Sequence, residues 1–314
     1  MNNLQEQLQP LKNQENLYKK VHKSFDEQLD LLKNRGLVIS NDDYVLAKLK
    51  HINYYRLSAY FLPYQHDKKS KNKNRFLPNT TFEDIIKLYY FDTELRKIIF
   101  EAIEIIEIYL RTQIAYYHSE TYGAFGYLNI ANLRTNLQAE FDELHYDIQK
   151  EKIRSKEVFI RHLKKKYNTT DLPIWSVVEI ISFGSLSKLF MLLQEKEQKQ
   201  VIQDMGEVNK IVFFKWFKAL SSVRNICAHH SRLWNRTLGL SFEVPRNNDD
   251  FELLRNSKNK IFFALSVIEY ILNFIGENEI DFKLKIKQLL GKYPYVDKKA
   301  MGFIDEWENL NIWK

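Results

Sequence analysis

Chain breakers are scarce in this sequence, and that scarcity is its firmest constraint. Nine glycines and six prolines serve 314 residues, too few for an all-β chain, which needs a turn every roughly 8–12 residues. Long helices satisfy the same composition. With 45% hydrophobic residues, 21 Phe and 18 Tyr, the chain can bury a sizeable core and falls outside the disordered class. Apolar positions follow a helical period from Ile85 to about Tyr117. That run is long enough to expect two abutting helices, jogged at Asp92-Thr93. The expected fold class is all-α.

Taken in order, residues 1 to about 22 are polar and read as a loose leading helix broken at Pro10. From Ser24, the spacing of Phe25, Leu29, Leu31 and Leu32 gives an amphipathic helix stopped by Gly36. Ser40 or Asn41 then caps a second helix that carries Val45, Leu49, Ile52, Leu57 and Tyr60. A basic linker follows Pro63 and ends near Pro78, where Thr80 to Glu83 reads as a capping box. Beyond the Gly123–Gly126 turn, a charge-rich stretch to about residue 170 suggests a peripheral insertion. Phe183-Gly184-Ser185 marks a tight packing point or a helix junction, and Asp249 to Ile275 a core helix ended at Gly276. The expected organisation is an N-terminal helical extension over 1–78, a main helical domain over 79–276 with its insertion at about 123–170, and a helical tail over 277–314.

The richest stretch runs from Ser221 to Arg236, at the end of an aromatic helix that begins near Asn209. Asn225 and His229 are four apart, on one helical face. Arg224 and His229 are five apart, about 140° around the axis and roughly 7.5 Å along it. A long guanidinium side chain can close that gap around one phosphate. RNA carries its own nucleophile, the 2′-hydroxyl, beside each scissile phosphate. An imidazole with the ordinary pKa of about 6.5 can take or give that proton at neutral pH. Guanidinium offers a planar fork of donors to the phosphoryl oxygens, and an amide can orient the ring. Such a group would cut RNA without a metal, leave a 2′,3′-cyclic phosphate and spare DNA.

Spacing alone is weak, because chance supplies about one such Arg–His pair in a chain of this size. The wording is stronger. Arg224-Asn225-Ile226-Cys227-Ala228-His229-His230-Ser231-Arg232-Leu233-Trp234-Asn235-Arg236 resembles the RN-x-x-AHH-x-R-L-W-NR signature of bacterial abortive-infection proteins of the AbiD/AbiF type. These belong to the HEPN superfamily of helical ribonucleases, defined by R-x(4–6)-H. The runs from Gln28 to Leu37, Ile52 to Tyr60, Tyr90 to Arg96, Ile106 to Arg111, and Leu172 to Leu186 resemble the same family in the same order.

That resemblance implies a HEPN-like helical bundle and a metal-independent endoribonuclease of phage defence or toxin type. His229 would be the general base or acid, Arg224 the phosphate clamp and Asn225 the orienting group. Glu107 and Arg111, on the preceding core helix, would support the Arg224–His229 helix from behind. His230 would be a structural ring or a second proton carrier. Arg111 and His118 make a second R-x(6)-H match, open to reading as a second site. Since HEPN enzymes usually bring two motif copies together, a two-fold homodimer is expected. A bound regulatory RNA is a further implication of the family. The competing reading is a non-catalytic RNA-binding module.

A formal net charge of +7 favours an anionic partner. Basic residues gather in the linker (Lys68, Lys69, Lys71, Lys73 and Arg75) and on a later helix (Lys164, Lys165 and Lys166), both candidate RNA contacts. Arg232 and Arg236 form either an anion-binding wall or a helix C-terminal cap. Tyr54-Tyr55-Arg56 would stack bases or belong to the core. The one cysteine, Cys227, reads as a small buried residue and excludes an internal disulfide. No GxGxxG, Walker loop, GxSxG or metal-spaced Cys/His cluster occurs, so no cofactor and no metal is expected. No apolar run reaches membrane-spanning length, and the chain reads as cytoplasmic.

Overall fold

Side chains that compete with the backbone ladder fix where several helices of this protein start. The structure, a computed structural model, describes residues 21–67, 70–167, 169–276 and 280–314. It divides into two compact units, residues 1–86 and 87–314.

In the first unit, Ser24 caps α1 (Phe25–Asn34) and Glu27 reaches back to the Ser24 N–H at 2.6 Å, a reciprocal box. Gly36, at φ 87°, turns the chain out of α1. The Gly36 N–H donates to the Lys33 carbonyl and the Leu37 N–H to the Leu32 carbonyl, closing a Schellman turn. Asn41 rather than Ser40 caps α2 (Asp42–His51). The second helix expected through Tyr60 is broken. Ile52 is extended, and Asn53 takes the Tyr55 N–H at 2.8 Å to start α3 (Tyr54–Ser58) afresh.

The basic linker is folded back on itself. The His66 N–H donates to the Arg75 carbonyl, Gln65 pairs with Phe76, and Lys71, Lys73 and Arg75 are exposed. Lys68, Lys69 and the leading polar segment through residue 20 lie outside the described residues.

The capping box at the start of α4 (Phe82–Tyr122) is shifted by one residue from the expected one. Thr81 and Asp84 form it, while the Thr80 hydroxyl donates to Leu77. α4 is one uninterrupted helix of 41 residues, about 62 Å at 1.5 Å per residue. The jog expected at Asp92-Thr93 is absent. Thr93 bonds back to the Tyr89 carbonyl at 2.9 Å, and Asp92 is buried with partners that satisfy it.

The second unit adds α5 (Gln138–Arg154), α6 (Val158–Tyr167), α7 (Ile174–Ile180), α8 (Phe183–Leu192), α9 (Glu195–Ile202), α10 (Lys210–Ala228), α11 (Asp249–Leu253), α12 (Ile261–Ile275) and α13 (Phe282–Lys292). The described residues form helices and no strands, so the protein is all-α. α10 packs against α8, α9 and α12, and α5 against α7 and α8. α12 is buried from Ile261 to Leu272 and is stopped by Gly276 at φ 73°.

The stretch expected as a peripheral insertion divides in two. α5 buries Leu144 and Ile148 in the core, whereas α6 buries only Ile160. Residues past α13 fold onto the same unit. Trp313 donates to the Ser266 hydroxyl at 2.9 Å and stacks on Phe262. Among the described residues no helix is long and apolar enough to cross a membrane.

Candidate functional site

The site is built at the C-terminal end of α10. His229 closes the helix in near-helical geometry (φ −85°, ψ 9°), with its N–H on the Asn225 carbonyl. His230 then reverses the chain at φ 54°. The His230 N–H donates to the Cys227 carbonyl and the Ser231 N–H to the Ile226 carbonyl, each at 3.0 Å. This is the turn that Gly36 makes after α1, built here on an imidazole-bearing residue. The two adjacent rings therefore serve different surroundings. His229 and Asn225 are exposed and line a cleft of about 720 Å³ between α10, α8 and α5. His230 lines a separate cavity of about 390 Å³ with Arg96, Phe100 and Glu104 of α4.

Across the cleft, α8 starts at Ser182, whose hydroxyl accepts the Ser185 N–H at 3.0 Å. Gly184 faces the Ser221 hydroxyl of α10, and a Cβ there would make only an ordinary contact with it at 3.5 Å. The Ser185 hydroxyl donates to Asp147 of α5 at 2.9 Å. Lys188 joins Glu143 at 2.6 Å and Asp147 at 3.1 Å. Burial works against the Lys188 charge, but these two carboxylates outweigh it and hold its pKa above the ordinary lysine value. The cleft is thus walled by hydroxyls, carboxylates and lysines, with one imidazole at its rim.

Arg224 turns the other way. It lines a cavity of about 150 Å³ with Phe100, Glu104, Glu107 and Arg111. Its Nε lies 3.4 Å from Glu107 Oε2, and its guanidinium sits over the Phe100 ring at 5.5 Å. The side chain remains 34% exposed. Glu107 also pairs with Arg111, which donates to the Ile181 carbonyl at 3.0 Å, just before the α8 cap. Glu107 is therefore shared by two guanidiniums, and the network ties α4 to both Arg224 and the α7–α8 junction. Within one chain, Arg224 and His229 open onto different cavities, with Asn225 beside the His229 cleft.

A family model described as Abi-like protein matches residues 47–235, more than half of the chain. The chain belongs to the Abi-like protein family. No curated protein and no solved structure matches it. The Abi-like segment holds Glu107, Arg111, the three cleft walls and the RN-x-x-AHH run, and it ends one residue before Arg236.

Two further residues of the Abi-like segment matter, and the sequence assigned them no role. Buried Asp92 accepts the Leu233 N–H at 3.1 Å and the Trp234 N–H at 2.6 Å, and pairs with Arg96. Arg96 in turn reaches the Ser231 carbonyl at 3.4 Å and Thr93 at 2.9 Å. This ion pair moors the segment that leaves α10. Their i,i+4 spacing inside the Tyr90–Arg96 run was the available signal. Trp234 is buried; Arg236 donates to the Arg232 carbonyl at 3.2 Å, closing a local turn with Asn235 at φ 48°.

Arg111 and His118 do not come together in this Abi-like chain. His118 is sealed at 0% exposure with its Nδ1 2.7 Å from Glu197, whereas Arg111 turns to Glu107. Cys227 is buried, and burial pushes its thiol up to about 12. Lys164, Lys165 and Lys166 are exposed on α6.

Proposed function

We propose that this Abi-like protein is a metal-independent endoribonuclease of the HEPN type, acting in abortive infection as a phage defence. One observation carries the reading: an exposed imidazole and an amide stand side by side on an open cleft, one helical residue from a part-exposed guanidinium. His229 takes the proton of a ribose 2′-hydroxyl, and the 2′-oxygen forms a bond to phosphorus. The bond from phosphorus to the 5′-oxygen breaks, and that oxygen leaves with a proton from an acid on the opposite side. Arg224, drawn off Glu107 as the attacked phosphoryl group gains a second negative charge, neutralises the oxygens on which that charge grows. In-line displacement needs groups on both faces of phosphorus. A second motif copy, brought by a two-fold homodimer, supplies them.

The purified chain, incubated in EDTA with labelled RNA, is expected to release fragments ending in 2′,3′-cyclic phosphate. His229→Ala should lower the rate at least 100-fold, within the range for losing a general acid–base group. Its melting temperature should not change, because an exposed substitution of this kind costs under about 0.5 kcal/mol. Equal cutting by His229→Ala and wild type would end the proposal.

The parting of Arg224 and His229 within one chain favours a second reading, a non-catalytic RNA-binding module that can hold a regulatory RNA. In that case RNA binds, neither protein cuts it, and His229→Ala leaves the affinity unchanged.

A further inference from the structure

The N-terminal unit holds a groove of about 1,380 Å³ between α1, α2 and α3. Its lining is one-sided in charge. Lys23, Arg35, Lys50, His22 and His51 face it, and among the described residues no Asp or Glu lines it. The His229 cleft, by contrast, carries Glu140, Glu143 and Asp147. The unit does contain carboxylates, among them Asp26, Glu27 and Asp30 on α1 and Asp42 and Asp43 on α2. Each of them lies off the groove. A cationic channel of this kind suits a polyanion.

Aromatic rings are interleaved with these cations. Tyr55 is 86% exposed at the groove, and Phe25 is also exposed there. Tyr54 beside it is fixed: Arg35 donates to its hydroxyl at 2.8 Å, and its ring meets Phe61 edge-on at 5.8 Å. The pair thus offers one anchored ring and one open face. Stacking on an open aromatic face, with cations tracking a backbone, is how single strands are held without regard to sequence.

Amides complete the lining. Gln28 donates to the Lys23 carbonyl at 2.9 Å, and this leaves its buried side-chain oxygen with no hydrogen-bond partner. The amides of Asn53 and Asn74 also line the groove and can pair with a ribose 2′-hydroxyl, a group that DNA lacks. We infer that the α1–α3 groove binds single-stranded RNA, with Tyr55 as its stacking platform.

The test uses the full-length chain carrying His229→Ala, so that no probe is cut. A fluorescein-labelled 12-nucleotide RNA of mixed A and U is titrated by anisotropy, beside DNA of the same sequence. Tyr55→Ala should weaken RNA binding about 10-fold, the effect of losing one stacked base, and Tyr55→Phe should restore it. Lys23→Ala and Lys50→Ala should each lower the slope of log K against log salt by about 0.7. Three outcomes would overturn the inference: parental affinity in Tyr55→Ala, equally tight binding of the DNA, or displacement of RNA by poly-glutamate as readily as by unlabelled RNA. Absence of cutting by the wild-type chain would sink the nuclease reading and leave this test untouched.

Discussion

His230 holds a backbone conformation in which a Cβ crowds the following carbonyl, at a cost of roughly 1–2 kcal/mol for most residues. Its φ of 54° is imposed by the two carbonyls, of Cys227 and Ile226, that the reversal satisfies. Glycine does the same work at Gly36 with no such cost. Backbone demand at position 230 therefore separates from ring chemistry. His230→Gly and His230→Asn should melt close to wild type, whereas His230→Val should melt a few degrees lower, since a β-branched residue is a true outlier there. Thermal melts of the three variants check this, and equal melting of Gly and Val would refute the backbone account. Little of this was visible in sequence. The Arg-Asn-x(3)-His spacing on one helix was legible, but nothing in the pair of histidines says where the helix stops, and that stop sends the two rings into separate cavities.

At the scale of elements, contacts near in sequence were legible and those far apart were not. The apolar period gave α10 and the extent of α4, though not its continuity. The single helix expected over residues 249–275 is divided into α11 and α12. Gly36 and Gly276 gave the ends of α1 and α12. The box at Thr81 and Asp84 was misplaced by one residue because Thr80-Thr81 is followed by Glu83-Asp84, and either threonine satisfies the pattern. The α5 stretch read as part of a peripheral insertion because the partner of its Glu143 and Asp147 is Lys188, on another helix. Asp92 read as a break in α4 for the same reason, since Leu233 and Trp234 lie far along the chain. That mooring can be tested directly. Asp92→Ala leaves Arg96 buried without its carboxylate and two backbone N–H groups unmet, a loss of about 3–5 kcal/mol. The variant should melt well below wild type. Limited trypsin digestion should also open the chain at Arg232 or Arg236 in that variant first, and an unchanged digestion pattern would show that Asp92 does not hold the segment.

Across the whole molecule, one buried carboxylate makes stability depend on pH in a direction opposite to ordinary acid denaturation. Glu269 lies in α12, the most buried helix, with Lys283 at 3.6 Å and Asn273 donating to it at 3.1 Å. Burial raises its pKa above the ordinary carboxylate value; Lys283 and Asn273 pull it back only in part, and the charge of Asp281 adds to the rise. Unfolding exposes the group and restores the ordinary value. Between the two pKa values the folded chain holds a proton that the unfolded chain has lost. The contribution of Glu269 to stability is thus full below the unfolded pKa and falls as pH rises through the folded one. Glu269→Gln keeps the shape and the hydrogen-bonding capacity of the protonated acid but does not titrate. Near pH 4 the variant and wild type should melt together. As pH rises toward 7 the variant should become the more stable, with a difference that grows through the titration and then levels off. Taking the difference between the two proteins at each pH removes every other titrating group common to both. Melting curves across that range decide the matter: a difference that is constant with pH, or that favours wild type at neutral pH, would mean that Lys283 stabilises the charged form enough to cancel the burial of α12.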